Sequence, residues 1–190
     1  MILYHFTGLE MIDAIEREGI KIGLIPYEED CSPRQLAISL TTDSEPDGHG
    51  LTSGERLIGA QLERIRSSIP GLPPSATEAT FANKTAVRIR LKLKEADPKL
   101  RSFEKYARKL GRSAAWRRAV ALSGHLPLSG AAYDDAEFKA LMTTQSGDVR
   151  PTKEGTWYFY FGTISPDNFH AVEYRQPDST YLAGRPVTLK

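Results

Sequence analysis

Three short segments gather the side chains that could do chemistry. They are Tyr4-His5-Phe6-Thr7, the run Ile38-Ser39-Leu40-Thr41-Thr42, and Glu154 three residues ahead of Trp157-Tyr158-Phe159-Tyr160. Between them they offer an imidazole, several hydroxyls, a carboxylate and a row of aromatic rings. Other chemistries lack their residues. No Gly-x-x-x-x-Gly-Lys-Ser/Thr loop is present, which argues against a P-loop triphosphatase. Neither a Gly-x-Gly-x-x-Gly turn nor a Gly-x-Ser-x-Gly elbow occurs, which argues against dinucleotide-binding and α/β-hydrolase folds. His5, His49, His125 and His170 are scattered, whereas a zinc hydrolase needs three ligands and an open position, so no metal is expected. The single cysteine, Cys31, would need a base beside it to act as a nucleophile and reads as a small half-buried residue.

In order and character the three segments resemble the three sheet motifs of the ADP-ribosyltransferase superfamily. Tyr4-His5-Phe6-Thr7 resembles the Tyr-His-x-Thr strand of DNA-targeting toxins and related small phage-type members. The exit Gly19-Ile20-Lys21-Ile22-Gly23 follows it as in that group. Leu40-Thr41-Thr42 is similar to the Ser/Thr-rich middle motif, and the aromatic run to the strand after a catalytic glutamate. The resemblance implies a split β-sandwich, NAD⁺ as cofactor, and transfer of ADP-ribose to a macromolecular acceptor. A toxin or a phage counter-defence factor would fit it. It makes Glu154 and His5 the catalytic residues, with His5 donating to a ribose hydroxyl, and Tyr4, His5, Thr7, Thr41, Thr42 and Tyr158 the cofactor-binding set. Glu173 and the Asp134/Asp135 pair are alternative acids.

The residue types also suit that chemistry in their own right. Cleaving the nicotinamide–ribose bond passes through an oxocarbenium-like state, so a carboxylate near the ribose stabilises the developing cation. An aromatic face would hold the nicotinamide, and threonine hydroxyls can bridge ligand and acid. Gly155 would let the chain turn so that Glu154 faces the cleft. Alternation sends Trp157, Phe159 and Phe161 to one face and Tyr158 and Tyr160 to the other, and the tyrosines tolerate water better. Thr7 has a competing role as a helix cap.

A basic block raises a second reading. Between Lys84 and Arg118 lie thirteen Lys/Arg against three acids, whereas the rest of the chain holds twelve bases and 21 acids. Such a block is a docking surface for phosphate or for an acidic protein, with Arg88, Arg90, Lys92, Arg117 and Arg118 as contacts. On a strand, Arg88, Arg90, Lys92 and Lys94 would stand ~6.6–6.8 Å apart, close to successive phosphates of an extended single strand. Only Phe103, Tyr106 and Trp116 are aromatic there, too few for base stacking, so a protein acceptor is slightly favoured over nucleic acid. The alternative function is a catalytically inactive module of the same fold that inhibits an acidic or nucleic-acid-binding partner, such as a CRISPR-type complex, through this face. An RNA 2′-phosphotransferase-like enzyme is weaker, because its phosphate-holding basic residues lack a clear equivalent.

The elements that would position these groups follow from periodicity. Ile2–Phe6 reads as a strand, Thr7 and Glu10 as a capping box, Met11, Ile12 and Ile15 as one helix face, and Gly19 as a positive-φ stop. Leu36–Thr41 alternates as a strand, 43–50 is a loop, and a helix is expected over 53–65. The stretch 67–80, with Pro70, Gly71, Pro73 and Pro74, is irregular. Val87–Lys94 is a strand with one apolar and one cationic face. Pro98 opens a helical region to about 122, broken at Gly111. A short helix falls over 135–142, strands over 157–161 and 169–174 flank a turn at 165–168, and Tyr181–Leu189 is an edge strand interrupted by Pro186.

Short helices scattered among strands give the class as α+β, with a mixed, mainly antiparallel sheet. The 190 residues fit one domain over 1–190. A net charge of +1 with 40% hydrophobic residues excludes a disordered tail, and no apolar run reaches the ~18–20 residues of a membrane span. The start, Met-Ile-Leu-Tyr-His, lacks a basic n-region, and one cysteine allows no internal disulfide. A cytoplasmic protein with no membrane contact is expected. Oligomeric state is open.

Overall fold

The computed structural model describes residues 1–21, 23–24, 36–66, 69, 71–124, 136, 140 and 152–184. The reading of a helix over 135–142, together with Cys31, Asp134, Asp135 and the end of the expected strand 181–189, falls largely or wholly outside these residues. The chain is α+β, with short helices around a sheet whose ladders are all antiparallel.

The first strand, β1 (Ile2–Thr7), is central. A 3-10 turn at Leu9–Met11 and helix α1 (Ile12–Glu18) follow it. Strands β2 (Gly23–Leu24), β3 (Leu36–Thr41), β6 (Val87–Lys92), β7 (Leu100–Ser102), β8 (Trp157–Tyr160), β9 (Phe169–Arg175) and β10 (Tyr181–Ala183) complete the main sheet. Its order is β10-β9-β6-β1-β3-β8-β7, with β2 paired to β3. A separate antiparallel pair, β4 (Arg56–Ile58) and β5 (Glu78–Thr80), packs with α2 (Gly59–Ile65) around Leu57, Leu62 and Ile65. Helices α3 (Phe103–Lys109), α4 (Ala114–Ser123) and the one-turn α5 (Thr152–Thr156), with a 3-10 turn at Pro166–Asn168, complete the described elements.

The pairing registers sort the side chains into two faces, because successive strand residues point to opposite sides. One face carries Leu3, Ile38, Leu40, Val87, Ile89, Leu91, Tyr160 and Tyr174, all buried. Ile12 and Ile15 of α1, with Ile20 and Ile164, cover it. Gly19 ends α1 at φ 82, and the next residue, Ile20, bridges to Ile164. On the other face a second buried cluster lies at the β8 side. There Ala37, Trp157 and Phe159 pack under Phe103, Tyr106, Ala107 and Val120 of α3 and α4. Phe103 stacks on Trp157 at 5.2 Å and on Trp116 at 6.2 Å between ring centroids.

Four local expectations are corrected. Thr7 caps no helix. It is the last residue of β1, and the 3-10 turn after it starts at Gly8 without a side-chain cap. Residues 56–58 are strand, so the expected helix over 53–65 is only its second half; Gly59, at φ 53, makes the corner. Leu100 belongs to a strand, because β8 would otherwise present a bare edge. The irregular stretch 67–80 ends in β5. Ser102 and Ser113 cap α3 and α4, each hydroxyl accepting a backbone N–H.

Candidate functional site

The strands that carry the three motifs, β1, β3 and β8, are consecutive in the sheet. Tyr4 pairs with Arg90 on one side and with Thr41 on the other; Arg90 pairs with Ala171, and Thr41 with Trp157. A single row across five strands therefore reads Ala171, Arg90, Tyr4, Thr41, Trp157 on one face. Two residues further along β1, the row is Glu173, Arg88, Phe6. The α3–α4 layer covers the Trp157 end, and the loop after β3 reaches over the Arg88 end.

That loop supplies polar groups. Thr41, 3% exposed, accepts the Asp43 backbone N–H on its hydroxyl at 3.0 Å. Nε2 of His49 lies 3.5 Å from the Thr41 hydroxyl and 3.5 Å from Oδ2 of Asp43, with the imidazole buried. A hydroxyl, an imidazole and a carboxylate thus meet at the end of β3.

Arg88 anchors the other end. Its Nε donates to Glu173 Oε2 at 2.9 Å and its Nη1 to the Ser44 carbonyl at 2.6 Å. The guanidinium lies 4.3 Å from the ring centre of Tyr181 and 5.3 Å from that of Tyr4, so it fixes the two rings as well as the loop. The Tyr181 hydroxyl donates to the Thr85 carbonyl at 2.6 Å, and burial pushes its pKa up to about 12. Arg90 is half-buried; its Nε is buried and hydrogen-bonds to nothing.

The cofactor set expected from the sequence does not share one face. Tyr4 and Thr41 lie together on the face just described. His5, Thr7 and Tyr158 lie on the opposite one, as adjacent strand residues must. His5 uses Nδ1 to reach the Ser39 carbonyl at 3.1 Å, where β1 and β3 pair at one position only. Burial pushes its pKa below the ordinary 6.5; the Ser39 bond opposes this, and the Lys84 charge adds to it. Thr7 is buried, and Tyr158 is half-buried against the core. Thr42 is exposed, its N–H extending the β3–β8 ladder to the Thr156 carbonyl at 2.9 Å. Tyr160 is a buried core residue whose hydroxyl reaches Asp97 at 3.3 Å; burial first, then the Asp97 charge, raises its pKa.

Glu154 stands in α5, immediately before β8. Its Oε1 accepts Nε of Arg117 at 3.3 Å, and it remains one-third exposed. Gly155 is not at positive φ and has open space where a Cβ would be, so it makes no special turn for Glu154. Of the alternative acids, Glu173 is taken up by Arg88.

The basic set likewise divides. Arg88 and Arg117 are each 12% exposed and paired, so neither offers a free charge. Lys92 and Arg118 are exposed, but on different elements. α4 packs over β8, separated from β6 by β1 and β3, a gap of about 14 Å at ~4.8 Å per strand. Strand and helix cations therefore do not line one groove.

Sequence reasoning passed over Asp43, His49 and Tyr181. The first two lie in a turn-rich loop with no periodicity to place them; a threonine ending a strand two residues before an aspartate was the available signal. No helix among the described residues is long and apolar enough to cross a membrane. Comparisons with protein-family profiles, curated proteins and solved structures found no match.

Proposed function

We propose that the chain is an NAD⁺-dependent ADP-ribosyltransferase acting on a macromolecular acceptor. The observation that supports this most is the adjacency of β1, β3 and β8, with Tyr4, Thr41 and Trp157 in one row and Glu154 just ahead of Trp157. In this reading Thr41 and His49 contact the ribose hydroxyls, the part the sequence suggested for His5. His5 acts from the opposite face, tying β1 to β3. Glu154 stabilises the oxocarbenium-like ribose, with Arg117 orienting its carboxylate.

Labelled NAD⁺ incubated with the protein and a mixture of proteins and oligonucleotides tests this. Label should move to an acceptor. Glu154→Gln should abolish transfer, and Thr41→Val should slow it more than tenfold with the fold intact. Absence of both NAD⁺ binding by calorimetry and label transfer would overturn the reading. The Arg117–Glu154 pair favours one competitor, an inactive module of the same architecture that blocks an acidic partner. Its partner binding would survive Glu154→Gln and weaken when Lys92 and Arg118 are neutralised.

A further inference from the structure

The cross-strand neighbours of β6 treat its two arginines differently. Arg88 faces Glu173 and is neutralised by it, whereas Arg90 faces Ala171, a methyl group where an acid would stand. Among the described residues the Arg90 side chain makes no hydrogen bond, no ion pair and no ring contact, and its Nε is closed off from solvent. A buried Nε–H without an acceptor is costly, because the donor has lost its water and gained nothing in return. The ladder also shifts register directly after Arg90, a bulge of the kind that re-aims a side chain beside a site. The small Ala171 leaves room on one side; the Tyr4 ring and the Thr41 hydroxyl follow on the other.

We infer that Arg90 is an anion-binding residue whose ligand is a nucleotide phosphate. Its planar fork matches two phosphate oxygens. An aromatic ring and a threonine hydroxyl in the same row suit the nucleoside attached to them. The assignment does not rest on cleavage of NAD⁺: a chain that holds pyrophosphate through Arg90 and transfers no label keeps this site and loses the transferase reading.

The test uses the full chain with ADP, inorganic pyrophosphate and adenosine at constant ionic strength, read by calorimetry and by thermal shift. ADP and pyrophosphate should bind and raise the melting temperature, as any ligand of the native state does. Arg90→Gln should weaken both at least tenfold, the scale of charge-assisted hydrogen bonds, and leave adenosine unchanged. Arg90→Lys should fall between. Without ligand, Arg90→Gln should melt no lower than the parent, since it removes a buried Nε–H without an acceptor. Equal weakening by Lys92→Gln would reduce the effect to a diffuse positive field and overturn the site. So would failure of the parent to bind pyrophosphate or ADP, or equal binding by Arg90→Gln.

Discussion

Arg88 and Glu173 stand opposite each other on β6 and β9, joined at 2.9 Å and both nearly closed to solvent. Removing Arg88 leaves Glu173 without this partner, and removing Glu173 leaves Arg88 only the exposed Glu45 carboxylate at 3.7 Å, so either loss costs more than the pair contributes. Glu173→Gln should destabilise the fold by about 3 kcal/mol in urea unfolding. The double change Arg88→Met with Glu173→Leu should cost clearly less. A single substitution as mild as the double one would show that water solvates Arg88 after all.

His5 should impose a pH dependence on stability. Its folded pKa lies below 6.5, so the unfolded chain takes up a proton first as pH falls. The native state is then favoured fully above about 6.5 and progressively less below it, down to the folded value. Urea midpoints at pH 7.5 and 5.5 should separate, and His5→Asn should narrow the gap. A parent with no midpoint change over this range would contradict the burial of the ring.

Tyr181 predicts the opposite sign at high pH. With its pKa raised to about 12, the folded chain keeps a proton that the unfolded chain releases near 10. Stability should fall between these values. Ultraviolet difference titration should show a late-ionising phenol that disappears in Tyr181→Phe.

Gly19 holds φ 82 with ψ 174, a region nearly closed to side chains, and a Cβ there would meet the Ile164 carbonyl oxygen at 2.3 Å. Gly19→Ala should cost about 2 kcal/mol, a fall of about 4–8 °C in melting temperature. An unchanged melt would mean that the Ile20–Ile164 bridge is dispensable.

Phe103 is 2% exposed and packs on Trp157, Trp116 and Phe159. Phe103→Ala should cost about 3–5 kcal/mol, with loss of near-ultraviolet dichroism from both tryptophans. A loss below about 1 kcal/mol would place the α3–α4 layer outside the cooperative core.

What could be read in advance tracks how many constraints act on a residue. β6 was legible because Val87, Ile89 and Leu91 alternate with Arg88, Arg90 and Lys92, and one face is fully buried. Gly19 was legible because a helix stop needs its backbone. Leu57, Ile58, Leu62 and Ile65 fit helical spacing, yet Leu57 is buried in a strand and Ile58 is 55% exposed; pairing with β5 decided, and pairing is nonlocal. Leu100 went to strand for the same reason. At the site, the separation of Tyr4 from His5 follows from the period of two, which the motif resemblance overrode. The meeting of Thr41, Asp43 and His49 depends on how a loop folds back, and no local pattern encodes that.

The placement of β1 bears on how the chain is made. β1 is synthesised before the other described strands yet lies in the middle of the sheet, between β3 and β6, while β8 and β9, which extend the two wings, are made well after β6. Until β6 emerges, the Leu3 side of β1 lacks Val87, Ile89 and Leu91 to bury against, and until β8 emerges one edge of β3 stays open. Folding is therefore dominated by nonlocal pairings and is slow for the chain's size. A nascent chain stalled before residue 87 should depend on chaperones and be cut readily by proteases, and release of the full chain should remove both traits.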